Sequence, residues 1–150
     1  MSCSVIEVFR RVSLSIILAG VVLAGCEQRS GSTTFQATDI TGVEFGREFE
    51  LVDHHGKLRH LSDFHGKVVV MFFGFTHCPD ICPTTLVEFN VALEQLGNAA
   101  SRVQVLFVSV DPERDTPDVL RTYVTAFNDR FLGLTGSPEQ IAEVAREFKI

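Results

Sequence analysis

From about residue 45 onwards, the hydrophobic residues of this chain alternate between two patterns, the continuous run of a buried strand and the spacing of a helix. Continuous apolar runs rich in β-branched and aromatic residues predict three buried strands, at 68–75, 103–110 and 131–134. Each run is followed by apolar residues at helical spacing, which predicts three helices, at 83–97, 117–127 and 138–148. Because strands and helices alternate, we expect parallel strand pairing with right-handed crossovers.

Local signals refine this outline at the start of the domain and at two helix starts. Residues 49–53 alternate between apolar and polar as a strand does, and a turn at 54–57 leads into residues 58–61. The second and third helices each begin with a hydroxyl residue followed by proline, the pattern of an N-cap and a first helical position. The pattern predicts an α/β fold that opens with an N-terminal β-hairpin.

The amino terminus carries the pattern of an export signal. Arg10 and Arg11 precede an apolar run at 12–23, which has the length of a signal peptide and is short for a membrane span. The run ends in a Leu-Ala-Gly-Cys sequence that resembles the lipobox of bacterial lipoproteins, so Cys26 is the expected site of lipid attachment. An uncleaved signal anchor is the alternative. Either version tethers the chain to a membrane and exports the rest.

These patterns divide the chain into three segments. Residues 1–25 are predicted to be a lipoprotein signal peptide, residues 26–44 a polar, flexible spacer, and residues 45–150 the folded domain. A length of 150 residues and an apolar fraction of 45% fit one packed domain. The formal net charge of −6 gives no reason to expect a nucleic-acid partner.

The candidate chemistry lies in two cysteines, Cys78 and Cys82, between a predicted strand and a predicted helix. The positive end of a helix stabilises an anion, so we expect a lowered pKa for at least Cys78, whereas the charge of Asp80 opposes that shift. If the first helical turn includes both cysteines, their Cβ atoms lie about 5–6 Å apart. That separation suits one soft metal ion or, after a small backbone adjustment, a disulfide.

Several uses of this cysteine pair remain open from its chemistry. Thiolate pairs select copper(I) or zinc, or carry out redox reactions, whereas magnesium, calcium and four-ligand structural zinc require ligand sets that this segment lacks. Two inert cysteines that serve as small apolar residues are the alternative. Export places the pair in an oxidising compartment, where cysteines tend to form disulfides, so an unpaired thiol there indicates a function.

Other polar residues near the pair also allow more than one interpretation. The segment 111–116 follows a predicted strand; it is either a turn and helix cap, in which Asp111 or Asp115 accepts backbone hydrogen bonds, or a segment that approaches the cysteines. We do not expect His77 to bind a metal beside Cys78, because adjacent helical side chains do not face each other. The earlier histidines fall in turns and loops, where exposed side chains are expected: His54, His55, His60 and His65.

Two long motifs resemble the Sco/SenC family. They are Gly-Phe-Thr-His-Cys-Pro-Asp-Ile-Cys-Pro at 74–83 and Val-Ser-Val-Asp-Pro-Glu-Arg-Asp-Thr at 108–116, and a shorter match lies at 133–136. The family consists of membrane-tethered copper proteins of thioredoxin-like fold that help to assemble the copper centre of cytochrome c oxidase. The resemblance covers roughly residues 45–150. It implies that Cys78 and Cys82 are copper ligands that also cycle between dithiol and disulfide.

The resemblance also implies a location and a set of partners. A bacterial lipoprotein of this family would lie in the cell envelope, anchored to a membrane through its lipid with the domain outside the cytoplasm. Its expected partners are the copper-binding subunit of cytochrome c oxidase and other periplasmic copper or thiol-redox proteins. No nucleic acid is expected.

The chain departs from the family pattern in two respects. The family supplies a third copper ligand from a histidine far downstream of the cysteine pair, and every histidine of this chain lies at or before Cys78. A thioredoxin-like sheet also normally finishes with an antiparallel strand pair and a terminal helix, for which this sequence has no segments. We therefore expect an incomplete domain at 45–150, truncated at its C-terminus, that lacks the third copper ligand.

Three functions remain in competition on the sequence. The first is a copper chaperone that binds copper through the two thiolates and transfers it to an oxidase subunit. The second is a thiol–disulfide oxidoreductase that reduces the cysteines of the copper-receiving subunit, and the third is a redox or copper sensor. The pair has three intervening residues, whereas dedicated oxidoreductases of this fold usually have two, which favours the metal over the redox role.

Overall fold

The computed structural model describes residue 38 and residues 41–150, and a compact unit extends from Gly42 to Ile150. The predicted signal peptide, the predicted lipid site Cys26 and most of the predicted spacer at 26–44 lie outside the described residues. Among the helices that are described, none combines the length and the apolar character that crossing a bilayer requires.

The described elements follow the order expected from the sequence. Five strands are present: β1 (Glu50–Asp53), β2 (Leu58–His60), β3 (Val68–Gly74), β4 (Val103–Ser109) and β5 (Leu132–Thr135). Three α-helices alternate with the later strands: α1 (Ile81–Leu96), α2 (Pro117–Thr125) and α3 (Pro138–Phe148). Two short 3₁₀ segments complete the list, at Leu61–Phe64 and Gly97–Arg102. The predicted α/β order with an N-terminal hairpin is confirmed.

The strands form one sheet in the order β2-β1-β5-β4-β3. β3, β4 and β5 are parallel, whereas β1 is antiparallel to both β2 and β5. The register aligns Gly74 at the end of β3 with Ser109 at the end of β4. The loops that follow these two strands therefore leave the sheet side by side, one of them leading to the cysteines.

Hydrophobic side chains cover both faces of this sheet. Successive residues of β4 point to opposite faces, so Leu106 and Val108 enter one core while Val105 and Phe107 enter the other. Helix α3 packs on the first face, and helices α1 and α2 pack on the second, where Cys82 is also buried. At the edge of the sheet, β3 pairs with β4 alone among the described strands, and Val68 is 60% exposed.

The helix starts agree with the predicted caps except at α1. The Thr116 hydroxyl accepts a hydrogen bond from the N–H of Val119, and Ser137 and Gln140 form a reciprocal capping box. Helix α1 begins at Ile81, two residues before the predicted start, because Pro83 is tolerated in a first turn whose N–H groups lack helical partners. Cys82 therefore lies in the first turn, but Cys78 precedes the helix, so their relation is not the helical spacing considered above.

Candidate dithiol and metal site

The two thiols meet where the loop after β3 enters α1. The segment 75–80, which we call the cysteine loop, contains a turn that closes when the Cys78 N–H donates to the Phe75 carbonyl at 3.2 Å. The Cys82 N–H then donates to the Cys78 sulfur at 3.4 Å. Both cysteines are free thiols; Cys78 is half-buried and Cys82 is buried. The loop thus places one thiol at the surface and the other beneath it.

The surroundings shift the pKa values of the two thiols in opposite directions. Hydrogen bonds from the backbone N–H groups of Cys82 and Asp80 lower the pKa of Cys78, as expected at the start of a helix. Asp80, expected to oppose a thiolate through its charge, thus also favours it through its backbone N–H. Burial raises the pKa of Cys82, and the neighbouring Cys78 adds to that rise. Cys78 is therefore the stronger candidate for a thiolate near neutral pH.

Gly74 gives the buried sulfur its space. A Cβ atom on Gly74 would lie 2.8 Å from the Cys82 sulfur and 3.0 Å from the Phe107 ring. Those distances are shorter than van der Waals contact, so any side chain at this position would displace the thiol, the ring or the strand. The sequence motif includes this glycine, but only the packing assigns it a role.

A buried carboxylate lies directly behind the cysteine loop. Asp115 is fully buried, and its oxygens accept hydrogen bonds from the Thr76 N–H at 2.9 Å, the Thr76 hydroxyl at 2.6 Å and the Ser109 hydroxyl at 2.6 Å. We call Asp115, Thr76 and Ser109 the Asp115 cluster. Both interpretations of the segment 111–116 hold, since it forms a turn and helix cap and also contacts the cysteine loop.

One aromatic residue of this region was not found from the sequence. Tyr123, the only tyrosine of the chain, packs against Phe107 and Phe127 with ring centroids 5.5 and 5.3 Å away. Burial raises the pKa of Tyr123 to about 12, and the nearby cysteines and Asp115 contribute to the rise. Its hydroxyl has no hydrogen-bond partner among the described residues. The sequence has no motif around Tyr123, because its position in α2 shows only the apolar spacing that is typical of a packed helix face.

A groove of about 680 Å³ lies next to the cysteine loop. Its wall is mainly apolar and includes Thr76, His77, Val119, Tyr123, Ala126 and Phe127. The groove is thus bounded by the cysteine loop on one side and by α2 on the other.

The histidines take no part in a metal cluster in the described part of the chain. His77 is exposed, with Nδ1 at 3.2 Å from the Thr76 hydroxyl and 3.9 Å from the Asp115 carboxylate. Across residue 38 and residues 41–150, no three side chains of the His, Cys, Asp and Glu types converge on a common metal position. Two thiolates remain, a set that suits copper(I), which accepts few, soft ligands.

The expectation of a solvent-exposed His54 is wrong. Its side chain is 2% exposed, and its Nδ1 accepts a hydrogen bond from the Gly133 N–H at 3.0 Å. The His54 N–H donates in return to the Gly133 carbonyl at 2.9 Å, which extends the contact between β1 and β5. His54 does lie in the predicted turn, but the pairing of β1 with β5 buries its side chain.

Comparison with known proteins assigns the family. The SCO1/SenC family model matches residues 37–150, which is most of the chain. The chain belongs to the SCO1/SenC family. Its two motifs around the thiols and the Asp115 cluster are thus part of a family domain, and the resemblance stated above is confirmed.

Individual relatives agree with this assignment. The chain is 49% identical over 105 residues to a Bos taurus protein named Protein SCO2 homolog, mitochondrial, covering 69% of this chain and 40% of that protein. It is 42% identical to Bradyrhizobium japonicum ScoI, solved with copper bound, with a TM-score of 0.67 and coverage of 71% of this chain and 68% of that one. These Sco neighbours confirm the thioredoxin-like fold.

A further solved relative is described through its redox chemistry. BsSco, a member of the Sco family of cytochrome c oxidase assembly proteins in which a disulfide switch has been identified, is 28% identical with a TM-score of 0.62. The match covers 77% of this chain and 70% of that one. Among curated relatives the chain spans a smaller share, about half of the protein's length or less.

Proposed function

We propose that this chain is a copper chaperone that binds copper(I) through Cys78 and Cys82 and assists assembly of the copper centre of cytochrome c oxidase. The observation that carries the proposal is the contact between the two cysteines at the start of α1, where the Cys82 N–H donates to the Cys78 sulfur at 3.4 Å. The Sco relative from Bradyrhizobium japonicum, solved with copper bound, supports the choice of metal.

The binding step follows from thiol chemistry. The two thiols release two protons, and the two thiolates bind one Cu⁺ ion in a complex with a net charge of −1. The lowered pKa of Cys78 favours its proton loss, and binding of the cation offsets the cost of ionising the buried Cys82. Transfer to an acceptor is then an exchange of ligands in which acceptor groups replace one cysteine at a time, with no change in the oxidation state of copper.

The proposed acceptor is the copper-binding subunit of cytochrome c oxidase. This proposal draws on the description of BsSco as a member of a family of oxidase assembly proteins. Ligand exchange needs an accessible thiolate, and Cys78 is only half-buried, whereas its partner Cys82 is buried.

Thiol–disulfide exchange with the same acceptor is the second candidate function. The opposite pKa shifts of Cys78 and Cys82 favour it, because exchange needs one thiolate that attacks and a second thiol that resolves. In that reaction Cys78 attacks an acceptor disulfide and Cys82 resolves the mixed disulfide. The acceptor gains two thiols, and this chain gains a Cys78–Cys82 disulfide. The disulfide switch named for BsSco is consistent with it.

Copper stoichiometry of the purified chain tests the first function. The unaltered protein is expected to retain one copper(I) per chain after dialysis against a competing thiol. Cys78→Ser and Cys82→Ser are each expected to lose it, because a single thiolate exchanges its copper with the competitor. Cys26→Ser is the matched control, since it removes a cysteine from outside the pair and should leave stoichiometry unchanged. Copper retention by either variant of the pair would contradict the proposal.

Membrane attachment has its own test. The proposed lipid site predicts that Cys26→Ser moves the protein from the membrane fraction to the soluble fraction of cells that process lipoproteins. The melting temperature of the domain should not change, because the substitution lies before residue 45. A variant that remains with the membrane would favour an uncleaved signal anchor instead.

A further inference from the structure

The Asp115 cluster joins two distant segments at the edge of the sheet where the thiols lie. Asp115 and Thr76 are 39 residues apart, and the parallel register of β3 and β4 brings their loops together. The Asp115 carboxylate holds Thr76 by both its backbone N–H and its hydroxyl. Two bonds to one residue fix its orientation as well as its position.

Thr76 lies inside the turn that presents Cys78. The turn begins at Phe75 and closes at the Cys78 N–H, so Thr76 is its second residue. If Thr76 rotates or moves, Cys78 moves with it, because only His77 separates them. The hydrogen bond of 3.4 Å between the Cys82 N–H and the Cys78 sulfur depends on that position.

The cluster also buries the Asp115 carboxylate, and burial of a charged group costs free energy unless the charge is compensated. Asp115 is fully buried, and among the described residues the one Lys, Arg or His nitrogen within 4 Å of its carboxylate is Nδ1 of the exposed His77, at 3.9 Å. A buried carboxylate is stabilised by the hydrogen bonds that its oxygens accept, here three from Thr76 and Ser109, and the neighbouring Arg114 guanidinium adds an electrostatic interaction. Two hydroxyls and one N–H thus hold the charge, which makes the arrangement sensitive to the loss of any one donor.

We propose that Asp115 is a positioning residue for the dithiol: through its bonds to Thr76 it holds Cys78 in the geometry that lets the two sulfurs act together. The proposal deepens the function proposed above and rests on it for the copper role. The dithiol role stands apart from copper, because disulfide formation needs the same proximity of the two sulfurs.

Equilibrium with glutathione measures that proximity in the purified full chain. The Cys78–Cys82 dithiol passes two electrons and two protons to glutathione disulfide, which becomes two glutathione thiols, and the equilibrium constant is the effective concentration of the pair. Thr76→Val and Asp115→Asn are each expected to lower this constant about tenfold, the order expected for losing a hydrogen bond to a charged group. A tenfold change corresponds to about 30 mV in midpoint potential.

Matched variants separate positioning from general damage to the fold. Thr76→Ser keeps the hydroxyl, so its equilibrium constant should remain within about twofold of that of the unaltered chain. A difference of this size counts as no effect. The control Asp111→Asn changes a carboxylate of the segment that contains Asp115, one that pairs with Arg114. The control Thr125→Val removes a hydroxyl of α2 that donates a hydrogen bond to the Arg121 carbonyl. Both controls should leave the equilibrium constant unchanged.

Two outcomes would overturn the proposal. One is an unchanged constant in Thr76→Val and Asp115→Asn, even if their melting temperatures fall, since that would make the cluster purely structural. The other is an equal decrease in the two controls. A competition assay for copper(I) on the same variants is expected to follow the same order. If the unaltered chain bound no copper while the glutathione results held, the copper function would fail and the positioning role would stand.

Discussion

Among the described residues two aspartates are fully buried, and they differ in what their carboxylates hold together. Asp53 accepts hydrogen bonds from the N–H groups of His55 and Lys57 and from the Arg59 side chain, at 2.7–2.9 Å. These three partners of the Asp53 carboxylate lie within six residues of it, so the carboxylate organises the hairpin turn to which it belongs. Asp115 instead bonds to Thr76, 39 residues away, and has no arginine or lysine among its ion-pair partners in the described residues.

The difference separates a local role in stability from a role at the candidate site. Burial acts to raise the pKa of Asp53, but the hydrogen bonds from Lys57, Arg59 and His55 outweigh it and lower that pKa. The charge of Asp53 is thus compensated within its own turn. The Asp115 carboxylate instead accepts hydrogen bonds from three neutral donors, two of which belong to Thr76 in the cysteine loop. A buried carboxylate therefore contributes to function here through the segment that it anchors.

The largest expected effect is the loss of the Asp53 turn. Asp53→Ala leaves two N–H groups without an acceptor and Arg59, whose side chain is 22% exposed, without a partner. Removal of one member of a buried ion pair costs about 3–5 kcal/mol, and we expect that loss in the free energy of unfolding measured by urea denaturation. Asp118→Ala, at an exposed pair with Arg121, is the control and should remain near the unaltered value.

The distinction between the two aspartates would be wrong if Asp53→Ala changed the equilibrium constant with glutathione as strongly as Asp115→Asn does. The Asp53 turn lies outside the cysteine loop, so its variant should fold less stably but keep the equilibrium constant with glutathione. A stability loss below about 1 kcal/mol would show that the turn does not depend on this carboxylate.

An intermediate effect is expected at Gly74, on the side of the dithiol. Gly74→Ala places a Cβ atom against the Cys82 sulfur and the Phe107 ring, and overpacking of this kind costs about 1–3 kcal/mol. Unlike Asp53→Ala, it should also change the dithiol equilibrium, because the buried sulfur must move. Urea denaturation and the glutathione equilibrium measure the two effects.

A double-mutant cycle identifies the contact responsible at Gly74. In a Cys82→Ala background the clash with sulfur is gone, so Gly74→Ala should cost less than in the unaltered chain, although Phe107 remains close. Equal costs in the two backgrounds would assign the effect to the strand or the ring, and not to the position of the thiol.

The smallest expected effect is the pH dependence from His54, next to Asp53. Burial lowers the pKa of His54, so the folded state holds the neutral ring while the unfolded state binds a proton below about pH 6.5. The stability from the neutral ring is complete above that pH and is lost as the pH falls towards the lowered pKa of the folded state. The corresponding loss from Asp53 lies lower, below about pH 3.9.

The measurement is the free energy of unfolding between about pH 7 and 5, the range in which an unfolded histidine takes up its proton. His54→Asn keeps an acceptor for the Gly133 N–H but does not titrate, so it should flatten the pH dependence. Thr125→Val, which removes no titratable group, should leave the slope as in the unaltered chain. An unchanged slope in His54→Asn would show that another group titrates.

Local patterns of the sequence were sufficient for the elements. The apolar runs and the hydroxyl–proline helix starts gave β3, β4, α2 and α3 with bounds that agree within about two residues, the usual uncertainty of an element end. These features depend on neighbours in the chain, which is why the sequence alone contains them. The predicted start of α1 at residue 83 differs by two residues from the observed start at Ile81, because a proline is tolerated within the first helical turn.

The sequence by itself determined the order of the elements, the place of the two cysteines at a helix start and, through its motifs, the family. Only the tertiary structure decided that Asp115 reaches Thr76, that Gly74 makes room for the Cys82 sulfur, and that β5 covers His54. The Asp115–Thr76 and His54–Gly133 contacts join segments that are far apart in the chain. The Gly74–Cys82 contact joins the backbone at the end of β3 to a side chain in the first turn of α1. The Asp115–Thr76 and His54–Gly133 contacts depend on strand register, which brings residues far apart in the chain together, whereas the Gly74–Cys82 contact depends on how the first turn of α1 packs against the end of β3.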